Sequence, residues 1–144
     1  SISSVDRVVA LEDIGPELAR TDFLVCCLPL TEATRGLVND KLLSQLKPGA
    51  VLIDISRGGV VKGDAVLKAL DSGILKGAAL DVFEQQPLPS ESPLWKREDV
   101  LITPHVSGTT PHYLKRALNV FLDNYAAFSK GQRMVTLVDQ AAGY

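Results

Sequence analysis

The stretch Ala50-Val-Leu-Ile-Asp-Ile55, followed at once by Ser56-Arg57-Gly58-Gly59, decides the fold. Five of its first six residues are apolar and three are β-branched, the signature of a short buried strand rather than a helix. Lys47-Pro48-Gly49 stops whatever precedes it, and the paired glycines end it. Working outward, the same alternation repeats. Upstream, Phe23 to Leu28 reads as a strand ended by Pro29, and Asn39 as the N-cap of a short helix carrying Leu42, Leu43 and Leu46. Further back, Arg7 to Ala10 reads as a short strand and Glu12 to Arg20 as a helix with Ile14 and Leu18 inward. Downstream, Gly63-Asp64 opens a helix with Ala65, Val66, Ala69 and Leu70 on one face, closed at Gly73. Ala78 to Val82 and Val100 to Thr103 read as strands. A long helix from about Thr110 to Lys130 places Leu114, Ala117, Leu118, Phe121, Leu122, Tyr125 and Phe128 at helical spacing.

Near-continuous apolar strands separated by helices predict an α/β fold: a doubly wound, Rossmann-like parallel sheet covered on both faces. In such a sheet the ligand crevice lies beyond the carboxyl ends of the strands. Arg57 follows one strand end, Asp81 lies at another with Gln86 soon after, and His105 follows a third, ahead of Ser107-Gly108-Thr109-Thr110. Each has an ordinary reading as a solvated or structural residue, and His112, in the first turn of the last helix, is read that way. Three reactive side chains at three strand ends make one edge of the sheet the candidate site.

Hydrophobic residues make up 46% of the 144 and charged residues 22%, which suits one globular domain. A net charge of −2 gives no nucleic-acid or anionic-membrane footprint, and no apolar run reaches the ~20 residues that span a bilayer. The adjacent Cys26 and Cys27 point to opposite faces of a strand, so they are read as buried reduced thiols with no metal site. A reducing, cytoplasmic compartment fits. Ser1-Ile-Ser-Ser lacks the features of a signal peptide, although the chain's start reads as internal, which leaves organellar targeting open.

Four blocks in register carry a family resemblance. They are Leu28-Pro-Leu-Thr-Glu-Ala-Thr-Arg-Gly36; Asp54-Ile-Ser-Arg-Gly-Gly-Val-Val61; Gly77-Ala-Ala-Leu-Asp-Val-Phe-Glu84 with Pro87-Leu-Pro89 and Ser92-Pro-Leu-Trp95; and Leu101-Ile-Thr-Pro-His-Val106. Over about residues 7 to 130 the chain resembles the D-2-hydroxyacid dehydrogenases. Its ending, from Lys130-Gly-Gln-Arg133 to Gly143-Tyr144, resembles their glyoxylate/hydroxypyruvate reductase branch. The resemblance implies a cofactor, NAD or NADP, that exchanges a hydride with a small 2-oxo or 2-hydroxy acid. It assigns Arg57 to the substrate carboxylate and oxo group, His105 to the hydroxyl proton and Asp81 to the nicotinamide amide. Leu28, Pro29, Thr34, Ile55, Ser56, Ser107 and Gly108 would line the cofactor. It implies a homodimer in the full-length protein. Residues 1–130 would be the later part of the dinucleotide-binding domain, and 131–144 a tail returning toward a substrate domain.

Two departures stand out. No GxGxxG occurs, so the first βαβ unit with its phosphate-binding turn is expected upstream, with a natural short protein as the alternative. The family's usual glutamate partner of the histidine is also replaced: Asp81-Val-Phe-Glu-Gln-Gln-Pro87 places Gln86 there. A neutral amide supports an imidazolium far less than a carboxylate does. Related formate dehydrogenases use a Gln–His pair, so formate oxidation stays open. So do a non-catalytic dinucleotide-sensing scaffold and a substitute role for Glu84.

Overall fold

The computed structural model describes residues 4–141, so the Gly143-Tyr144 ending and Ser1 lie outside the described residues. The chain divides into two compact units, Ser1–Pro104 and His105–Tyr144.

The first unit is built on four parallel strands in sequence order: β1 (Phe23–Cys26), β2 (Ala50–Asp54), β3 (Leu75–Leu80) and β4 (Val100–Ile102). The helices are α1 (Gly15–Leu18), α2 (Asp40–Leu43) and α3 (Gly63–Asp71). The crossover from β1 to β2 carries α2, and that from β2 to β3 carries α3. Asn39 caps α2 as expected, its side-chain oxygen accepting from the Leu42 N–H at 3.2 Å. Asp54 stands beside Cys26 on one side and Leu80 on the other, and Leu80 stands beside Ile102. The four carboxyl ends are therefore abreast, and the loops after them leave from one edge.

One face of this sheet makes the core. Leu52, Ala78 and Leu80 close against Val66, Ala69 and Leu70 of α3, Leu43 of α2 and Leu18 of α1. On the other face Phe23, Val25 and Leu101 are exposed.

Local departures have local causes. Arg7 to Ala10 is not a strand, because no ladder partner lies beside it and Val8 is exposed. The helix expected from Glu12 to Arg20 is split into a 3-10 turn, Leu11–Asp13, and α1. Pro16, which has no N–H to donate, sits in the first turn of α1, where its loss is harmless. β3 starts at Leu75 rather than Ala78, since Lys76 turns outward while Leu75 pairs with Ala50. It ends at Leu80, leaving Asp81 and Val82 beyond it.

The second unit is α4 (Tyr113–Ser129) and a tail that folds back on it. Asn124 anchors the tail, its Oδ1 accepting from the Val135 and Thr136 N–H groups at 2.8 and 3.3 Å and its Nδ2 donating to Thr136 Oγ1 at 2.6 Å. Phe121 and Tyr125 stack with ring centroids 6.3 Å apart. The helix lies where its periodicity put it, yet none of its residues is buried.

Leu52 is fully buried at the middle of the sheet. Leu52→Ala is expected to lower unfolding stability by about 2–5 kcal/mol in urea titration.

Candidate active site

The loops at the carboxyl edge are held by a buried carboxylate. Asp54, the last residue of β2, is 2% exposed. Its Oδ1 accepts from the Ser56 N–H at 3.0 Å and from Ser56 Oγ at 2.5 Å. Its carbonyl accepts from the Asp81 N–H at 2.9 Å. Burial pushes the Asp54 pKa up from the ordinary 3.8, against the Ser56 hydrogen bonds that lower it, and the nearby Asp81 charge adds to the rise.

Arg57 leaves this anchor on an exposed turn, its Nη1 donating to the Ser56 carbonyl at 2.8 Å. The Val60 N–H closes the turn on the Arg57 carbonyl at 3.1 Å. Gly59 has φ 99°, the positive value that the third position of a type II turn requires. Gly58 serves a different need: a Cβ there would lie 1.9 Å from the Phe83 carbonyl oxygen. The backbone after β2 thus rests directly on the backbone after β3. A parallel bridge between Val38 and Val61, and the Gly36 N–H donating to the Gly59 carbonyl at 2.7 Å, tie it to the loop after β1 as well.

Asp81 is 3% exposed, and its Oδ1 accepts from Thr103 Oγ1 at 2.5 Å. Gln86 is exposed and its Nε2 donates to the Phe83 carbonyl at 3.2 Å, in the same loop that Gly58 touches. Glu84 is engaged elsewhere, 2.8 Å from Lys62 Nζ. Of the expected lining residues, Leu28 and Pro29 are exposed beyond β1 and Ile55 is half-buried beyond β2. Thr34 shapes its own loop: its hydroxyl donates to the Pro29 carbonyl at 2.7 Å and accepts from the Thr31 N–H at 2.8 Å. The structure therefore brings together, in the first unit, Ser56, Arg57, Asp81 and Gln86.

His105, Ser107 and Gly108 are exposed at the start of the second unit. His105 has φ 57°, a left-handed conformation that side chains rarely adopt and that recurs at functional positions. Two contributors escaped the sequence reading. Thr103 positions Asp81, and Asp54 holds Ser56; an acidic residue inside an otherwise apolar strand was the available signal for the second. The thiols are corrected in part. Cys26 is buried, with its pKa pushed up to about 12 by burial and then by Asp54, whereas Cys27 is exposed. Their side chains take opposite faces as strand geometry dictates, and one of those faces is open.

Two outcomes follow for this edge. Gly58→Ala must displace the Phe83 carbonyl or its own loop, so a loss of about 1–3 kcal/mol is expected by urea titration, with changed amide shifts at both loops. Because the Asp54 pKa is raised, the folded chain binds more protons than the unfolded one between 3.8 and the folded value. The contribution of this group to stability is thus greatest below 3.8, declines as pH rises through that window, and stays diminished above it. Asp54→Asn should flatten that decline in denaturation midpoints measured against pH; an unaltered slope would refute the assignment.

Residues 3–107 match the family described as D-isomer specific 2-hydroxyacid dehydrogenase, NAD binding domain. A glyoxylate/hydroxypyruvate reductase A from Salmonella paratyphi B is 41% identical over 140 residues, which is 97% of this chain and 44% of that protein. An NADPH-dependent glyoxylate/hydroxypyruvate reductase from Sinorhizobium meliloti, solved with NADP and sulfate, superposes with a TM-score of 0.88. It is 37% identical, with 99% of this chain and 48% of that one covered. A D-isomer specific 2-hydroxyacid dehydrogenase from Xanthobacter autotrophicus Py2, solved with NADPH and MES, gives a TM-score of 0.86 at 40% identity. There the coverage is 93% of this chain and 55% of that one. The chain spans about half the length of the curated relatives it matches. With its Rossmann-like parallel sheet and its four motif blocks, the chain belongs to the D-isomer specific 2-hydroxyacid dehydrogenase family through the NAD-binding domain.

Proposed function

We propose that the whole protein is an NAD(P)-dependent reductase that converts a small 2-oxo acid, of the glyoxylate or hydroxypyruvate type, into its D-2-hydroxy acid. The observation that best supports this is the exposed Arg57 on a turn clamped by Gly58, beside a buried acceptor, Asp81, at the next strand end. The residues present suit the nicotinamide end of a dinucleotide. Asp81 offers a buried carboxylate to an amide, while Leu28, Pro29 and Ile55 offer apolar surface. The two nucleotide-bound relatives above hold NADP and NADPH, which favours NADP as the cofactor here.

A reduced nicotinamide held at Asp81 would supply the hydride when bound. Arg57 binds the substrate carboxylate through its planar fork and polarises the oxo group, where negative charge develops. Its bond to the Ser56 carbonyl uses one donor and aims the others. His105 gives the proton to the resulting oxygen. Gln86, a neutral neighbour by family resemblance, leaves the imidazolium less supported than a carboxylate would. Thr103 is a positioning residue for Asp81, as Asp54 is for Ser56. The tail from residue 131 returns toward a substrate domain, and the whole protein is a homodimer in the cytoplasm.

Spectrophotometric assay of the whole protein with glyoxylate, hydroxypyruvate and formate, against both cofactors, tests the reading. Arg57→Ala should lower oxo-acid kcat by about 10²–10³-fold. Gln86→Glu, which restores the carboxylate usual in the family, should raise oxo-acid kcat. Dinucleotide binding without turnover of any acid would leave a sensing scaffold instead. Formate oxidation alone would assign Gln86 to that chemistry.

A further inference from the structure

A cavity of about 290 Å³ lies between α3, the ends of β2 and β3, and the 83–94 loop. Arg57, Asp81, Gln86 and His105 do not line it, whereas Asp54, which positions Ser56, does. Its walls are apolar, formed mainly by Val61, Val66, Leu67, Leu80, Phe83 and Leu88. The acidic residues at its surface are Asp54 and Glu84, and no lysine, arginine or histidine is among the described residues that line it. Its volume is at the small end of the ~300–1,000 Å³ usual for small-molecule sites.

Asp54 gives this space a polar address. Both Ser56 hydrogen bonds go to Oδ1, and none of the described residues donates to Oδ2. Among the described residues, no fully buried side-chain polar atom lacks a partner. Oδ2 is therefore not wholly sealed although the residue is only 2% exposed, and Asp54 borders the cavity. A half-satisfied buried carboxylate is costly, and a second donor recovers part of that cost. A cationic donor also offsets the repulsion between Asp54 and Asp81. Glu84 at the cavity surface is neutralised by Lys62, 2.8 Å away, which is not itself a lining residue, so Asp54 is the carboxylate left for a cation. The first turn of α3, which favours anions, carries its own carboxylate in Asp64, bonded to the Ala65 N–H at 3.0 Å.

We propose that this cavity binds a compact primary amine with an apolar body, its ammonium on Asp54 Oδ2 and its hydrocarbon against the α3 wall. The site shares Asp54 with the anchor of the carboxyl edge, and its test reads binding of the amine rather than turnover, so it can fail without the reductase reading failing. The probe is benzylamine, cationic at neutral pH, with benzyl alcohol as its uncharged counterpart. Both are titrated into the isotopically labelled chain while the amide signals of Val61, Leu67 and Leu88 are followed. Saturable binding on the order of millimolar is expected for the amine. The alcohol should bind at least about tenfold more weakly, for want of a charge-assisted bond. Asp54→Asn, whose side-chain oxygen can still accept from Ser56, should bring the amine down to the level of the alcohol. Leu67→Trp, which fills the cavity, should abolish the response to both. Equal binding of amine and alcohol, amine binding unchanged in Asp54→Asn, or no saturable shift at these amides overturns the proposal. Should Asp54→Asn fail to fold, the amine–alcohol contrast and Leu67→Trp decide it.

Discussion

The carboxylate of Asp54 is the interaction on which the carboxyl edge of the sheet depends. A charged group at 2% exposure has lost nearly all its water, and ionisation in such a place is disfavoured. The raised pKa records that cost. The return is positional. One oxygen fixes both the backbone and the hydroxyl of Ser56, and the same residue's carbonyl receives the Asp81 N–H. The two loops that carry Arg57 and Asp81 therefore start from one residue. A hydrophobic residue at position 54 would pack as well but would release Ser56. Buried polar groups that serve geometry more than stability are expected where a site needs fixed loops.

Around that anchor, the loops are held by contacts of backbone on backbone. Gly58 lies against the Phe83 carbonyl, and Gly36 and Val38 donate to the carbonyls of Gly59 and Val60. Such contacts leave little room for rearrangement, so the exposed guanidinium of Arg57, tethered to the Ser56 carbonyl, stands on a rigid base. Gln86 is drawn into the same assembly through its bond to the Phe83 carbonyl.

Much of this was legible because local chemistry and global fold agreed. The apolar run at Ala50 needed no partner to be recognised, Asn39 announced its helix, and the motif blocks placed Arg57 at a strand end. What was hidden depends on things a string of letters does not carry. Whether Arg7 to Ala10 forms a strand depends on a neighbouring strand, and none of the described ones lies there. The apolar stripe of α4 marks a helix correctly, but periodicity says nothing about what covers it. Cys27 adjoins the buried Cys26 and is nevertheless exposed, since the pleat assigns it to the face of Phe23 and Val25. Thr103 looked like the end of a strand; only the fold sets its hydroxyl on Asp81.

The string Arg57-Gly58-Gly59 looks like one motif but carries three separable demands. The proposed chemistry would require the arginine, a neighbouring carbonyl 1.9 Å from where a Cβ would stand requires the first glycine, and a φ of 99° requires the second. These demands erode independently over evolutionary time. A descendant that abandons catalysis is free to replace the arginine at once, yet both glycines remain bound to the architecture. Across a lineage, a glycine pair standing beside a lost arginine would therefore mark a retired enzyme whose fold persists. The reverse pattern, an arginine kept without its first glycine, would mark a site whose two loops had moved apart.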